Sequence, residues 1–457
     1  MVTETVSRQS PDDVPGANNQ VTDIPGEDGL PYFGVAREFL TRPREMGKRM
    51  RAAYGSVYRT RFLGQRSVML SGADALQLVL LDRDKNFSSQ MGWHHSLGRL
   101  FFRGLMLLDF DEHRFHRRIM QAAFKRDALM SYVDDINAVA KPGVSAWGTQ
   151  STFRFYPAIK QLTLDVAAKA FLGLDLGKEA DRINKAFVDS VAASLAVVRV
   201  PVPGLGLWRG LRARKALEQF FASQIEARRA GNGTDMFTRL CQATDEDGQQ
   251  FSDEDIVDHM IFLMMAAHDT VTSSLTTAAY GLATHPEWQQ RLRDESLKAK
   301  GQSIAYDDLD DLTDSACLFN EALRLWGPVP YIPRRSVRSF EYGGVRVPAN
   351  AQVSVSPDSA HYDEKYWTNP QHFDPERFND ERAEHKSHPF AFSPYGGGAH
   401  KCIGMHFAQL LAKIILAEFV HQYDITIDAD YSLNMQQIPI PKPSDGLPLI
   451  LTPRESA

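Results

Sequence analysis

One stretch of the sequence, residues 392–404, constrains the fold and chemistry of this chain more than any other. It reads Phe-Ser-Pro-Tyr-Gly-Gly-Gly-Ala-His-Lys-Cys-Ile-Gly and places Cys402 in a glycine-rich loop. Apolar residues at helical spacing follow directly, namely Phe407, Leu410, Leu411, Ile414, Ile415 and Phe419. The pattern predicts that Cys402 lies at or just before the N-terminus of a helix, where backbone amides and the helix dipole favour thiolate over thiol.

Two interpretations of this cysteine are open from its surroundings alone. A thiolate at a helix N-terminus is a strong ligand for iron. The glycines at 396, 397 and 398 leave room for a flat macrocycle, and Gly404 lets the new helix approach the face of that macrocycle. An isolated cysteine in a turn is more often a buried structural residue. The order of glycines, basic residue and cysteine favours the iron ligand.

This loop resembles the haem-binding loop of the cytochrome P-450 family, aromatic-x-x-Gly-x-basic-x-Cys-x-Gly. Tyr395, Gly398, His400, Cys402 and Gly404 occupy the matching positions, with Tyr395 where the family usually has Phe and His400 where it usually has Arg. The resemblance implies haem b as the cofactor, with Cys402 as its only protein ligand and His400 at a propionate. The chain has no Cys-x-x-Cys-His motif for covalent attachment of haem.

A second motif of the family precedes the cysteine loop. Glu321 and Arg324 lie three residues apart on one predicted helical face, and Arg377 in Pro-Glu-Arg-Phe offers another cation. Glu-x-x-Arg by itself is typical of a solvated surface pair. In this order the three residues resemble the family's Glu-Arg-Arg triad, which implies a structural network for folding and cofactor retention.

A long helix is predicted to begin near Ser252, where Ser252 and Asp255 form a capping signal, and to end at His285-Pro286. Within it, Ala-Ala-His-Asp-Thr at residues 266–270 resembles the family's oxygen-activating motif. The Thr270 hydroxyl is able to bond to a carbonyl one turn earlier or to water, which opens a local kink, and Asp269 is able to relay protons from the surface. The alternative is an ordinary buried helix with a back-bonded threonine.

The resemblance also implies cations for the two haem propionates. His113 and Arg117, one helical turn apart, match the family's His-x-x-x-Arg, and Arg334 matches the residue that reaches a propionate from the other side, with Arg335 as a substitute. Four other cations are assigned to a solvated face that could receive an acidic redox protein: Arg114, Arg118, Lys125 and Arg126.

Residues at the family's substrate-contact regions are strongly apolar, and each is a candidate either for substrate contact or for ordinary core packing. They are Met91, Trp93, Leu97, Phe101, Phe102, Phe187, Val191, Met265, Ala266, Val329, Ile332, Ile438 and Ile440. A hydrophobic substrate follows, and sterols, terpenoids and long fatty acyl molecules are the leading classes. Residues 195–208 combine apolar side chains with Pro and Gly, which predicts a mobile lid able to touch a membrane surface transiently; the alternative is a fixed segment for core packing or dimer contact.

Length and composition bear on the domain organisation, the cellular compartment and the possible partners of the chain. The chain has 457 residues without a Ser/Gly-rich linker, so we expect one domain over 20–457 after a disordered segment at 1–19. Three scattered cysteines indicate a reducing cytoplasm, and no apolar run approaches the length of a transmembrane helix. The formal charge of -6 gives no reason to expect a nucleic-acid partner.

The predicted fold is mainly α with a minor β-rich part, and the resemblance implies a cytochrome P-450 fold with a long central helix over the haem. A hairpin is predicted between Tyr54 and Ser71 with its turn at Gly64-Gln65, short strands at 424–427 and 446–451, and helices at 162–171, 182–198 and 212–229.

The implied reaction is insertion of one oxygen atom from dioxygen into a C–H bond. Because no flavin or iron–sulfur module follows the cysteine helix, we expect electrons from a separate ferredoxin and flavin reductase. The alternatives are a peroxide-driven hydroxylase, an isomerase or dehydratase, and a haem-thiolate sensor, all of the same fold. Asp269 and Thr270 count against each of them.

Overall fold

The computed structural model describes residues 21–101, 103–149, 153–194, 200–298 and 303–454. The prediction for residues 1–19, the candidate Phe102 and the first part of the predicted lid at 195–199 fall outside these ranges. The described part of the chain is mainly helical with a smaller strand content, which confirms the predicted fold class.

The helices, numbered in chain order, are α1 (Ala36–Thr41), α2 (Pro43–Tyr54), α3 (Ala73–Leu81), α4 (Ser89–Leu97), α5 (Phe110–Met120), α6 (Arg126–Ser145), α7 (Phe155–Leu172), α8 (Lys178–Ser194), α9 (Gly206–Ala222), α10 (Ile225–Ala230), α11 (Met236–Gln242), α12 (Asp253–Thr284), α13 (Pro286–Ser296), α14 (Thr313–Leu325), α15 (Asp358–His361) and α16 (Met405–Gln422).

The strands are β1 (Val57–Phe62), β2 (Gln65–Leu70), β3 (Phe87–Ser88), β4 (Ile332–Ser336), β5 (Phe340–Tyr342), β6 (Val345–Val347), β7 (Gln352–Val355), β8 (Tyr423–Thr426), β9 (Met435–Gln436), β10 (Lys442–Pro443) and β11 (Ile450–Pro453). The largest sheet has the order β1-β2-β7-β4-β3, in which only β2 and β7 pair in parallel. Three two-stranded sheets are β5-β6, β8-β11 and β9-β10.

Helix α12 is the central element, and its ends follow from the sequence. The Ser252 side chain accepts a hydrogen bond from the Asp255 amide and caps the start, and His285 ends the helix before a proline at the first position of α13. Between these ends α12 packs against α7, α9, α14 and α16. The predicted long helix is therefore confirmed in both position and length.

Other predictions are confirmed with shifted boundaries. The hairpin β1-β2 lies inside the predicted range, but its turn is at Leu63-Gly64, one residue before the predicted Gly64-Gln65, since Gln65 already pairs with Phe62. The stretch 212–229, predicted as one helix, is divided between α9 and α10, which are separated at Ser223 and Gln224. The last strand, β11, begins at Ile450 and not at 446.

One prediction about membrane spans needs correction. Residues 398–422 are long and apolar enough to cross a membrane by length and composition, with a mean hydropathy of 1.5. Of this window, 56% is buried inside the protein, because α16 packs against α6, α12, α13 and α14. The apolar character of α16 is thus explained by its place in the core, which the sequence pattern alone does not distinguish from a lipid-facing helix.

Candidate active site

The cysteine loop is held by backbone contacts that require glycine. The Cys402 amide donates to the Tyr395 carbonyl oxygen at 2.9 Å, which closes the loop. Gly398 has a φ of 59°, and a Cβ atom there would lie 2.0 Å from the carbonyl oxygen of Leu80 at the end of α3. Any larger residue would displace the loop from α3. The glycine pattern therefore fixes where Cys402 stands.

The Cys402 thiol lies deep in the protein and yet remains accessible. Burial raises the pKa of Cys402, while a hydrogen bond from the Gly404 backbone and the charge of Arg117 act in the opposite direction. Gly404 is the N-cap of α16, so the thiol stands two residues before the cap, as predicted. The Gly404 amide and the positive charge of Arg117, which favour thiolate, are also able to stabilise it as a metal ligand.

A cluster of four basic side chains, those of His113, Arg117, Arg334 and His400, lies beside this loop, so the structure brings the predicted propionate residues close together. The rings of His113 and His400 have centroids 3.9 Å apart, and Arg334 is only 4% exposed. Burial, Arg117 and Arg334 lower the pKa of His113 to about 4. Burial, Arg334 and His113 lower the pKa of His400 to about 2. The cluster therefore disfavours additional positive charge and suits an anion.

No carboxylate neutralises this cluster directly among the described residues. Burial lowers the pKa of Arg334 to about 10, although Asp109 and Asp82 attract its charge from a distance. Both acids are already engaged, Asp109 by the Ser89 amide at 2.7 Å and Asp82 by the Asn86 amide at 2.6 Å. Arg335, named as a substitute, donates instead to the Asn350 carbonyl oxygen at 3.2 Å on the other face of β4.

The predicted triad forms a buried ionic network. Glu321 and Arg324 have no exposed surface, and Arg324 reaches both carboxylate oxygens at 2.7 Å. Arg377 approaches Glu321 at 3.4 Å and donates to the Asn369 carbonyl oxygen at 2.8 Å. The solvated surface pair considered from sequence is excluded by this burial.

A buried histidine connects the triad to the cysteine loop. Arg324 donates to the His361 carbonyl oxygen at 2.8 Å, and the Ser393 amide donates to His361 Nε2 at 3.0 Å. The Gly396 amide then donates to the Ser393 carbonyl oxygen. Burial and Arg324 lower the pKa of His361 to about 3, so its ring stays neutral and accepts the Ser393 bond. The position of the cysteine loop thus depends on the triad.

Asp269, the acid of the acid–alcohol pair on α12, lies in a polar seam between α12 and α7. Thr270 donates its hydroxyl hydrogen to the Ala266 carbonyl oxygen at 2.7 Å, the predicted bond to the preceding turn, while α12 remains helical throughout. Asp269 Oδ1 lies 3.3 Å from Lys160 Nζ and 3.1 Å from His268 Nδ1. Burial raises the pKa of Asp269, but His268 and Lys160 outweigh burial and lower that pKa to about 2.

Lys160 and His268 are the residues of this seam that the sequence analysis missed. His268 precedes Asp269 in the sequence, so its proximity to the carboxylate was a signal that could have been used. Lys160 is 109 positions from Asp269 and carries no local signal. The Lys160 side chain is 29% exposed, so it connects the buried carboxylate with solvent.

The candidate substrate residues divide into two groups by burial. Phe101 and Phe187 are buried in the core, where the Phe187 ring lies 6.4 Å from that of Phe221. Most of the others are half-buried, and these are Met91, Trp93, Leu97, Val191, Met265, Ala266, Val329, Ile438 and Ile440, while Ile332 is buried in β4. The β9-β10 turn that carries Ile438 and Ile440 is attached to α12, since Ser273 donates to the Pro441 carbonyl oxygen at 2.5 Å.

The donor set fits haem b on grounds independent of the motif. The buried Nε2 atom of His113 has no hydrogen-bond partner in the described structure, and the cluster around it suits two carboxylates. The accessible thiol of Cys402 supplies a single soft ligand for iron. The arrangement is that of a haem-thiolate enzyme.

Comparisons with known proteins agree with this class. The family description Cytochrome P-450 matches residues 24–447. A Mycobacterium tuberculosis protein given the name cytochrome P-450 136 is 43% identical over 437 residues, which are 94% of this chain and 89% of that protein. Cytochrome P-450 26A1 of Gallus gallus is 28% identical over 443 residues, which are 93% of this chain and 89% of that protein.

A solved structure, cyanobacterial CYP120A1 with retinoic acid bound, matches with a TM-score of 0.85 and 27% identity, covering 94% of this chain and 99% of that chain. The chain belongs to the cytochrome P-450 family. It is a monooxygenase, and haem b is its cofactor.

Proposed function

We propose that this monooxygenase oxidises a C–H bond of a terpenoid or another hydrophobic molecule, with electrons from a separate ferredoxin and flavin reductase. The observation that carries the substrate class is the likeness to a structure that has retinoic acid, an isoprenoid, bound. The half-buried apolar side chains of α4, α12 and the β9-β10 turn support the same class, because none of them offers a charge to a ligand. Sterols and long fatty acyl molecules are the next classes to test.

The residues proposed to hold the haem surround the cysteine loop. Cys402 would ligate the iron, and the basic cluster of His113, Arg117, Arg334 and His400 would receive the propionates. Tyr395 and Gly404 would complete the surroundings of the thiolate. When bound, the haem supplies the activation of dioxygen, to which an electron-donating thiolate contributes. Glu321, Arg324 and Arg377 would keep the loop in place through His361 and would take no part in the chemistry.

Asp269 and Thr270 are proposed to carry protons into the distal side of the site. Lys160 is the partly exposed end of the seam, so a proton would pass from solvent by way of Lys160 to the Asp269 carboxylate and then to the Thr270 hydroxyl. The hydrogen bond from Thr270 to Ala266 keeps that hydroxyl on the helix face. Proton delivery of this kind depends on the positions of the groups more than on their number.

Measuring product formed per reduced nucleotide consumed tests this role. Thr270→Ala should keep haem and substrate binding but divert electrons to hydrogen peroxide. Thr276→Ala is a matched control, because its hydroxyl also donates to the preceding turn of α12, to the Thr272 carbonyl oxygen at 2.7 Å. Equal coupling in wild type and Thr270→Ala would show that the pair is structural.

A ligand screen tests the substrate class directly. Displacement of the iron-bound water by a substrate shifts the main haem absorption band to the blue. Retinoic acid, a sterol and a long-chain fatty acid are the three probes. Saturable shifts with retinoic acid or related isoprenoids at the lowest concentrations are expected. Tighter binding of the sterol or the fatty acid would replace the terpenoid assignment, and no shift with any of the three would contradict a hydrophobic substrate.

The proposed docking face for the ferredoxin is the basic surface at α5 and the start of α6. Arg114 and Arg126 each pair with an acid of this chain, Asp111 and Asp307. Arg118 and Lys125 are exposed and form no ion pair in the described structure, so they are the residues to test. Arg118→Gln with Lys125→Gln should raise the KM for an acidic ferredoxin several-fold at low salt and leave substrate binding unchanged. An unchanged KM would move the docking face elsewhere.

We further propose that residues 20–457 form a single domain and that the enzyme works in the cytoplasm. Core residues from both halves of the chain support one domain, since α12 packs against α7 as well as α16. Free buried thiols at Cys241 and Cys317 suit a reducing compartment.

A further inference from the structure

Arg214 is a buried arginine on α9 that takes no part in the site described above. It is 4% exposed, and Asp258 on α12, with which it forms an ion pair, is 7% exposed. The Arg214 guanidinium also donates to the Leu100 carbonyl oxygen and, through Nε, to Glu218 at 2.7 Å. Leu100 belongs to the stretch of chain after α4, called here the 100–104 segment. One side chain therefore joins three separate elements.

The shape of the guanidinium group makes this connection rigid. Its donors lie in one plane at fixed angles, so a single arginine sets the positions of two acceptors relative to each other. One terminal nitrogen of Arg214 donates to the Asp258 carboxylate, and the other donates to the Leu100 carbonyl oxygen. A displacement of α9 away from α12 and the 100–104 segment therefore breaks both hydrogen bonds at once.

The Arg214–Asp258 pair joins α9 to another element, and α8 follows α9 through close packing. In the described part of the chain, the other ion pairs of these two helices join residues of the same helix: Arg182 with Glu179, Lys185 with Asp189, and Arg214 with Glu218. A Cβ atom at Gly210 on α9 would lie 2.1 Å from the Ala193 side chain on α8. Helices that approach this closely move together, so the Arg214–Asp258 pair holds both of them to α12.

The 100–104 segment is attached to α12 at two further points. Arg103 pairs with Asp255, one turn before Asp258 on α12, at 2.9 Å. Gly104 lies directly against α12, where a Cβ atom would be 2.4 Å from the Phe262 ring. Water reaches the Arg103 side chain, which is 36% exposed, and weakens its ion pair. The buried bonds of Arg214 are therefore the stronger constraint between the segment, α9 and α12.

The elements that Arg214 holds together carry the candidate substrate residues. Leu97 and Phe101 lie on either side of Leu100, Val191 lies on α8, and Met265 lies on α12. Movement of α8 and α9 away from α12 would therefore separate the walls of the proposed substrate site. Apolar contacts between these walls are non-directional and tolerate sliding, whereas the buried hydrogen bonds of Arg214 do not.

We propose that Arg214 is a latch that keeps the substrate site closed and sets the rate at which large hydrophobic molecules enter and leave it. Breaking its hydrogen bonds to Asp258 and Leu100 is the slow step of opening, and the bonds form again when α9 returns. Small molecules pass without this opening. Arg214 touches no reacting group and acts through the positions of α9 and the 100–104 segment, so it is a positioning residue. The inference rests on the proposed substrate site, and haem ligands of two sizes allow the two proposals to fail separately.

Stopped-flow absorbance of the haem-loaded enzyme measures entry, because an azole nitrogen that binds the iron shifts the main haem absorption band to the red. Imidazole is the small probe and clotrimazole the large one. Arg214→Met should accelerate both association and dissociation of clotrimazole about tenfold and leave the imidazole rates unchanged. Arg212→Met is the matched control, since the Arg212 guanidinium lies over the Trp208 ring of the same helix, 4.8 Å from its centroid. This variant should bind both azoles at the wild-type rates.

A double variant separates loss of the latch from loss of stability. Arg214→Met leaves Asp258 as a buried carboxylate without its partner and should lower the urea midpoint of unfolding. Arg214→Met with Asp258→Leu removes both charges and should restore that midpoint, while the fast association of clotrimazole remains. Wild-type clotrimazole rates in the double variant would overturn the latch, as would equal acceleration of the two azoles. A wild-type enzyme that binds imidazole but not clotrimazole would contradict the large hydrophobic site itself and, with it, the latch.

Discussion

Two groups of buried cations lie on either side of the cysteine loop, and they are built on opposite principles. Arg324 and Arg377 share the carboxylate of Glu321, Arg377 also donates to the Glu384 carboxylate at 3.1 Å, and backbone carbonyl oxygens accept further hydrogen bonds from both arginines. Arg334 is also buried, but in the described structure its side chain donates only to the neighbouring Pro333 carbonyl oxygen, and its nearest titratable neighbours, His113 and His400, are basic groups and not carboxylates. The first group is electrostatically complete within the protein, and the second is not.

This difference separates structural charge from charge held for a ligand. A buried ion pair with every donor bonded stabilises only one arrangement of the chain, and removing one partner leaves an uncompensated charge. A buried cluster of like charge lowers the stability of the protein alone and becomes favourable when an anion enters. The same residue type, arginine, therefore has opposite effects on stability in the two places.

The largest expected effect tests the assignment of the basic cluster around Arg334 to haem, and it concerns Cys402, the proposed iron ligand next to that cluster. If the basic cluster binds haem propionates, Cys402 is the thiol placed to reach the iron. Cys402→Ser should abolish the red-shifted absorption band of the reduced carbon monoxide complex completely. Cys317→Ser, a change at a buried thiol in α14, should keep it. A Cys402→Ser enzyme with the band intact would remove the basis for assigning the cluster to haem.

The triad is tested by removing the carboxylate of Glu321, which Arg324 and Arg377 share. Glu321→Ala should lower the free energy of unfolding by about 3–5 kcal/mol, because the buried Arg324 loses its charge partner and Arg377, which keeps Glu384 at 3.1 Å, loses one of its carboxylate contacts. Denaturant unfolding measures this loss. Glu376→Ala is the control, since Glu376 pairs with Arg291 where both side chains are 38–40% exposed, and its loss should be below about 1 kcal/mol. Equal losses in the two variants would mean that the triad is not a structural network.

The pH dependence of the free energy of unfolding tests the basic cluster without mutation. The pKa of His113 is lowered to about 4 by burial and by the neighbouring arginines, so the unfolded chain binds a proton more readily than the folded one. Stability is therefore complete above about pH 6.5 and is lost as the pH falls towards 4, by about 2 kcal/mol at pH 5 for this residue. The haem-free protein should show this loss, and the haem-bound protein less of it, because propionates favour protonated histidine.

His113→Gln should remove the His113 share of that acid-induced loss in the haem-free protein. Unfolding free energies at pH 7 and pH 5 provide the measurement. If the variant and wild type lose the same free energy between the two pH values, another group is responsible.

The smallest expected effect is an increase in the stability of the haem-free protein, opposite in sign to the loss expected for the triad. Arg334→Met should raise the stability of the haem-free protein by about 1 kcal/mol, since a buried cation without a direct partner is replaced by an apolar side chain of similar size. The same change should accelerate transfer of haem to an acceptor protein. Arg335→Met, on the other face of β4, should leave haem transfer unchanged. A loss of stability in the haem-free Arg334→Met protein would place Arg334 in the same class as the triad.

Much of the fold was predictable because its signals are local. The Ser252 cap, the proline after His285 and the two-residue turn at Leu63-Gly64 each act on a few neighbouring residues. Boundaries were less predictable where two helices meet without a strong breaker, as at Ser223 and Gln224 between α9 and α10.

For the site, the sequence by itself determined which residue types stand together in the chain: a cysteine among glycines before an apolar helix, and an acid next to a threonine in a long one. Only the tertiary structure decided which charges are paired. Lys160 reaches Asp269 across 109 positions, and His361 connects the triad to the Ser393 end of the cysteine loop. The physical reason is that helix caps and turns act through a few successive residues, whereas an ion pair depends on distance and burial in space, which arise only when α7, α12 and α14 pack together.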